Sequence, residues 1–425
     1  MANAATACQR ANGLVAPGNA SSHIDSGPVQ ADVIANKNHG RRVMTIDRRQ
    51  ALAGLGSAAV AALASGAATA ATQPGSGLQA MAAAKGLRFG SCFAFGQPGA
   101  DRGSFANPRY AALLRRDCGL LVAENEMKWQ AIRPTATTFD FTRFDAMIAW
   151  ADAHDLPVRG HNLLWHQPKW MPRWEESHDF GPRPATAAAE MLTRHITTVC
   201  GRYGTRIPSY DVVNEAVNPA DGTLYETALS RAMGKPEATL DLAFRAAKRA
   251  APHAQLVYND YMSWEPGNAR HRAGVLALLE GFRARGVPVD ALGVQSHLVT
   301  QGPDVRGTAS ALEGEWRRFL DAVTAMGYGL VITELDVRDN GLPVAIPARD
   351  RAVADYTRAY LDIMLAYPRL RDILVWGMSD RYSWIEGFEP RPDKARRRPC
   401  PYDAAFAAKP MHAAIAAALV AAPKR

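Results

Sequence analysis

The sequence predicts a single (β/α)8 barrel, and three observations carry that prediction. From residue 85 onward, eight short apolar runs each end in polar residues. Segments with apolar residues at spacings of three and four separate them, the period of a helix that buries one face. The runs are almost continuously apolar, as strands become when helices cover a parallel sheet from outside. Eight such units in about 335 residues fit one catalytic-sized barrel with enlarged loops.

In chain order the runs are LRFGSCF (87–93), LLVAENE (120–126), PVRGHNLLW (157–165), SYDVVNE (209–215), AQLVYNDY (254–261), ALGVQSHL (291–298), LVITELD (330–336) and ILVWGMSD (373–380). Helical spacing is seen over 141–154, 186–203, 240–251, 269–285, 312–326 and 349–367. An open, doubly wound sheet is the competing arrangement. It is disfavoured because FGSCFAFGQPG, at the first run, lacks the glycine spacing and the helix start of a phosphate-binding turn.

The residues ahead of the barrel read as an address. Residues 44–70 (MTIDRRQALAGLGSAAVAALASGAATA) combine Arg48-Arg49, a mildly apolar stretch and the small residues Ala68-Thr69-Ala70. That pattern predicts a twin-arginine-type signal peptide and export to the periplasm or beyond. Its apolar part, 51–64, is too short and too rich in Ala and Gly to span about 30 Å of hydrocarbon, so stable membrane insertion is not expected. Residues 1–43 are polar and without period, and are expected to be a disordered leader or an extension upstream of a true start at Met44. Residues 71–84 are expected to form a short flexible segment, and 85–420 the barrel.

A composition of 48% hydrophobic and 21% charged residues is ordinary for a globular chain. The formal charge of +8 includes six basic and three acidic residues within 1–70. What remains is too small and too scattered to call for nucleic acid. The one dense cluster, KARRRP (394–399), is expected to be a solvated surface loop. The five cysteines, Cys8, Cys92, Cys118, Cys200 and Cys400, lack the paired spacing of a zinc site. Spacing leaves disulfides open, while the apolar surroundings of Cys118 and Cys200 predict buried thiols.

Barrel topology turns scattered strand ends into one pocket, because the C-terminal ends of all the strands surround it. Glu124, Asn125, His161, Asn214, Glu215, Asn259, Gln295, His297, Glu334, Asp336, Trp376 and Asp380 are therefore expected to face one cleft. Carboxylates among amides, imidazoles and indoles suit a sugar, whose hydroxyls need donors and acceptors and whose ring faces stack on Trp. Paired carboxylates cleave glycosidic bonds economically: one protonates the leaving oxygen, and the other attacks the anomeric carbon or activates water. Metal chemistry is disfavoured, since His161 and His166 are five residues apart near a strand and point to opposite faces. No metal or other cofactor is expected. A Gly-x-Ser-x-Gly elbow for serine chemistry is missing as well.

Seven motifs, LVAENEMKW, RGHNLLWH, YDVVNEA, YNDY, GVQSHL, ITELDV and WGMSDRYSW, occur in that order. Together they resemble glycoside hydrolase family 10, the retaining endo-β-1,4-xylanases, over roughly 85–419. The resemblance implies a (β/α)8 fold and hydrolysis of internal β-1,4 bonds of xylan or xylo-oligosaccharides through a glycosyl-enzyme intermediate. It implies Glu215 as acid/base and Glu334 as nucleophile, with His297 holding Glu334, Asp336 orienting His297 and Asn214 bonding the sugar 2-hydroxyl. By the same matching, Glu124, Asn125, Lys128, His161, Trp165, Gln295, Trp376 and Trp384 bind the glycone, and Tyr261 lies toward the leaving group. Such a pair needs Glu215 protonated by burial and a neighbouring charge, and Glu334 ionised. A monomer is the default expectation. Three departures stand out: Asn162 where the family usually has Thr, at a step that tends to be cis; Met262 and Trp264, expected to reshape the leaving-group side; and a long basic loop, EGFEPRPDKARRRPCPYDAAF. The same mechanism on another β-linked glycan is the alternative. A sugar-binding barrel without catalysis is disfavoured by the presence of both glutamates.

Overall fold

The computed structural model describes residues 77–425, so the expected leader and signal peptide lie outside the described residues. Nine parallel strands occur: β1 (Arg88–Phe93), β2 (Leu120–Ala123), β3 (Val158–Trp165), β4 (Ser209–Asn214), β5 (Gln255–Asp260), β6 (Ala291–Val294), β7 (His297–Val299), β8 (Gly329–Arg338) and β9 (Leu370–Val375). The sheet order β6-β5-β4-β3-β2-β1-β9-β8 closes through β6–β8 pairing, giving an eight-stranded barrel. The short β7 is an addition. It pairs only with the far end of β8, setting His297 opposite Asp336. The sixth apolar run thus splits into β6 and β7, and the break lies where Ser296 turns into the left-handed region at φ 63°.

Every barrel strand lies within or overlaps one of the eight runs, because a strand wrapped by helices must be apolar on both faces. Inward residues, among them Cys92, Val122, Val257, Ala291, Val331 and Leu374, form a separate apolar cluster inside the barrel. Their strand neighbours, such as Leu121, Leu256, Leu292 and Ile332, join the larger core beneath the helices. The expected helices are found at Thr142–Asp152, Pro184–Tyr203, Pro236–Ala250, Ala269–Ala284, Val305–Ala325 and Ile346–Met364. Several begin earlier than the apolar period showed. Pro184–Tyr203 and Ile346–Met364 open on three exposed residues that do not join the buried face, with a proline at N1 or N2 where a missing N–H costs nothing.

The described part of the segment expected to be flexible, 77–84, departs from that expectation. Leu78–Ala83 is a helix with Leu78 and Ala82 fully buried, held by the Leu78 N–H to Asp117 Oδ1 at 3.2 Å. Gln79 also accepts the Phe89 N–H, tying this helix to β1. Six residues are too few to display a helical period in sequence. The KARRRP cluster is solvated as expected at Lys394 and Arg396, but Arg397 and Arg398 are a second correction. Arg397 is only 2% exposed and bonds Asp339, Asn340 and the Glu389 carbonyl, while Arg398 pairs with Asp350 at 2.6 Å. Buried aspartates claim these arginines, and sequence spacing gave no hint of them. Cys92, Cys118, Cys200 and Cys400 are all buried and free.

Candidate active site

At the C-terminal ends of the strands lies a cleft of about 560 Å³. Its walls include Glu124, Asn125 and Lys128 after β2, His161 and Trp165 on β3, and Asn214 and Glu215 at the end of β4. Tyr261, Gln295, His297, Glu334, Trp376 and Trp384 complete the set read from the sequence. Asp336 stands one layer behind, accepting from His297 Nδ1 at 2.9 Å and from the Trp384 indole at 2.8 Å. Asn259 is also in this second layer. Asp380 is not on the cleft: Gly377, at φ 106°, redirects the chain after β9, and the Asp380 carboxylate meets the Cys400 N–H and the Lys409 ammonium instead.

Neighbouring side chains of a strand point to opposite faces, yet Asn214 and Glu215 both reach the cleft. The reason is local. Glu215 has φ 53°, a left-handed conformation that a side-chain-bearing residue adopts only when its surroundings impose it. Its N–H is held by the Asn259 carbonyl at 2.9 Å.

A ladder of amides joins the two glutamates. Gln295 Nε2 donates to Glu215 Oε1 at 2.8 Å and lies 3.4 Å from Asn214 Oδ1. Asn259 Nδ2 donates to the same Asn214 oxygen at 2.8 Å and to Glu334 Oε1 at 2.9 Å, its own oxygen accepting from Thr333. With its oxygen so occupied, Asn214 has an amide nitrogen with no partner among the described residues.

The two carboxyls sit in opposite electrostatic settings. Burial is the main influence on Glu215 and raises its pKa, with the nearby charges of Asp260 and Glu334 adding to it; donors from Gln295 and Trp165 Nε1, the latter at 2.8 Å, only partly offset this. Burial would raise Glu334 too. There the His297 hydrogen bond, at 3.3 Å, and the charges of His161, His297 and Lys128 win, holding it to about 2. His297 itself is lifted to about 9: burial opposes its charge, but Asp336 and Glu334 together outweigh burial. His161 is steadied by Asp211 at 2.9 Å, and Asp211 by the fully buried Arg159 at 2.6 Å. Lys128 donates to Asn125 at 2.9 Å and lies 4.7 Å from the Trp165 ring, its pKa lowered by burial despite the surrounding carboxylates. His166 points elsewhere, to the Tyr225 carbonyl at 3.0 Å, so it shares nothing with His161.

Residues 77–418 match the sequence profile of Glycosyl hydrolase family 10. The chain belongs to that family. Endo-1,4-beta-xylanase 3 of Hypocrea jecorina is 32% identical over 315 residues, covering 74% of this chain and 79% of that one. The crystal structure of xylanase 10B from Thermotoga petrophila in complex with xylobiose superimposes with a TM-score of 0.70 at 28% identity, covering 82% of this chain and 98% of that one. Xylanase 10C of Cellvibrio japonicus, a mutant in complex with xylopentaose, gives 0.66 at 26%, covering 82% and 69%. The barrel is thus the family 10 barrel, and the protein is a glycoside hydrolase.

In this family 10 hydrolase the cleft also takes in Gln130, Gln167, Lys169, Trp170, Arg338 and Phe388, which the sequence reading missed. Two of these carried a usable signal. Arg338 follows Glu334 and Asp336 at a period of two on one strand, and Trp170 follows the end of β3, where the barrel directs the chain to the pocket. Trp170 stacks on Trp165 at 5.0 Å. Phe388, in the long loop after β9, had no such signal. Met262 and Trp264, expected on the leaving-group side, are buried instead, Trp264 against Tyr356 and Tyr360. The His161–Asn162 peptide is cis.

Proposed function

We propose that this family 10 hydrolase is an exported endo-1,4-β-xylanase that cuts internal β-1,4-xylosidic bonds with retention of configuration. The observation that carries the reading is the pair of buried carboxyls in one cleft, the pKa of one raised and that of the other lowered by their surroundings. Glu215 gives its proton to the leaving oxygen while the Glu334 carboxylate attacks the anomeric carbon, forming a glycosyl ester. The ester removes the Glu334 charge, so the pKa of Glu215 falls and it can take a proton from water, which then attacks the same carbon and frees Glu334. His297, held by Asp336, keeps Glu334 ionised and oriented before attack. Asn214 bonds the sugar 2-hydroxyl, a role its unpartnered nitrogen supports. Glu124, Asn125 and Lys128 read further hydroxyls through charge-assisted bonds. His161, Trp165, Gln295, Trp376 and Trp384 wall the glycone side, and Tyr261 the leaving-group side. Relatives that are endo-1,4-beta-xylanases, and neighbours holding xylobiose and xylopentaose, support xylan as the substrate. Residues 44–70 would direct twin-arginine export. No helix of the described residues is long and apolar enough to cross a membrane.

Proton NMR of the mature protein acting on xylohexaose, with Glu334→Ala alongside, tests the reading. The expected result is β-anomer among the earliest products, lost in the variant. Early α-anomer would overturn retention, and no cleavage would move the substrate to another β-linked glycan.

A further inference from the structure

Asp260 ends β5, adjacent to Asn259, and does not line the cleft; it is fully buried. Its carboxylate nevertheless collects three donors: the Tyr258 hydroxyl, the Tyr261 N–H at 2.8 Å and His271 Nε2 at 3.0 Å. Tyr258 and His271 are fully buried as well. Each partner leads back to the reacting region. The Tyr258 hydroxyl accepts the N–H of Ala216 at 3.3 Å, the peptide that immediately follows the left-handed turn at Glu215. His271 stands edge-on to Tyr261 at 4.7 Å, behind a cleft wall. The Asp260 carbonyl accepts the Gln295 N–H at 3.0 Å, and the Gln295 side chain in turn donates to Glu215.

We propose that Asp260, with Tyr258 and His271, forms a positioning set that fixes the Glu215 carboxyl against the leaving-group oxygen, acting through Glu215 rather than on the sugar. The inference rests on the reading of Glu215 as acid/base. Its physical basis is the buried Ala216 N–H. Without the Tyr258 hydroxyl that donor would have no partner, and a left-handed turn that only its surroundings sustain would relax. Asp260 in turn orients the hydroxyl: it accepts the phenolic O–H hydrogen bond, leaving the oxygen's lone pairs to face Ala216. The His271 bond holds the carboxylate in that orientation. The Asp260 charge also adds to burial in raising the Glu215 pKa.

A merely structural role for this cluster, joining β5 to the helix Ala269–Ala284, would affect every substrate alike. A role through the acid would not. The dinitrophenolate of a dinitrophenyl β-xylobioside departs without a proton, the phenol of phenyl β-xylobioside needs one, and kcat/KM reports only the first, glycosylation step. Tyr258→Phe keeps the ring and removes the hydroxyl. Its kcat/KM is expected to fall about tenfold on the phenyl substrate, the loss of one buried hydrogen bond, and less than about twofold on the dinitrophenyl substrate. His271→Leu should show the same split, and His271→Gln, which keeps an N–H donor toward Asp260, should restore most of the loss. Glu215→Ala, run in parallel, should show the split more strongly. Equal falls on both substrates, or no fall on either, would overturn the positioning role. Wild-type protein that cleaves neither xylobioside would remove the acid/base reading beneath it.

Discussion

Glu215 and Glu334 differ little in burial, so their opposite titration comes from their partners. His297 is the partner most responsible at Glu334. In His297→Ala the acid limb of kcat/KM, set by a carboxyl held to about 2, should move up toward the ordinary glutamate range, because a bond to the charged form has been lost. The Trp165 indole N–H favours the charged form of Glu215, so Trp165→Phe should shift the basic limb to higher pH. Both limbs are read from pH profiles on one soluble xylo-oligosaccharide. Glu215→Ala should cost roughly 10²- to 10⁴-fold in kcat/KM on xylohexaose, the span of general acid catalysis. Nine of the twelve residues named from strand ends do line the cleft, all but Asn259, Asp336 and Asp380, since parallel-barrel topology makes position along a strand equivalent to position in the pocket. Asp336 fell behind it because its oxygens are taken by His297 and Trp384.

Among the elements, β6 shows how little space the site has. Gly293 is paired with Asn259, and a Cβ at Gly293 would sit 2.4 Å from Asn259 Oδ1. Gly293→Ala must therefore displace the amide that bonds both Asn214 and Glu334. We expect kcat to fall by at least about tenfold with the far-UV spectrum unchanged, as misplacing reacting groups by a fraction of an ångström commonly does. Strands were legible because both their faces are buried. Helix starts were not, where the first turn faces solvent, nor was the six-residue helix Leu78–Ala83. Asp380 was misassigned because the glycine two residues after β9 reverses the direction that strand alternation implies, a backbone choice invisible in a pattern of apolar residues.

At the scale of the whole barrel, the long loop after β9 is fastened by charge to the residue that follows β8. Asp339, fully buried, lies 3.1 Å from Arg397 and 3.4 Å from both Arg349 and Arg391. Arg397→Met would leave part of that carboxylate unpaired. Breaking one side of a buried pair costs about 3 kcal/mol, which a urea titration should show as a lower midpoint at unchanged slope. This fastening was illegible in sequence, because the basic run and its acidic partners come from different parts of the chain.

The buried free cysteines have a practical use. Cys92 is on β1, Cys118 caps the helix Pro108–Asp117, Cys200 is inside Pro184–Tyr203, and Cys400 lies in the loop after β9. Each thiol reacts with an alkylating reagent only while its own region is open. The protein therefore carries four reporters of partial unfolding, one in each of four neighbourhoods, with no label to introduce. Peptide mass spectrometry after timed alkylation would rank those neighbourhoods by opening free energy. If the barrel opens only as one unit, all four should be modified at the same rate. If it frays from the loop after β9, Cys400 should be modified first.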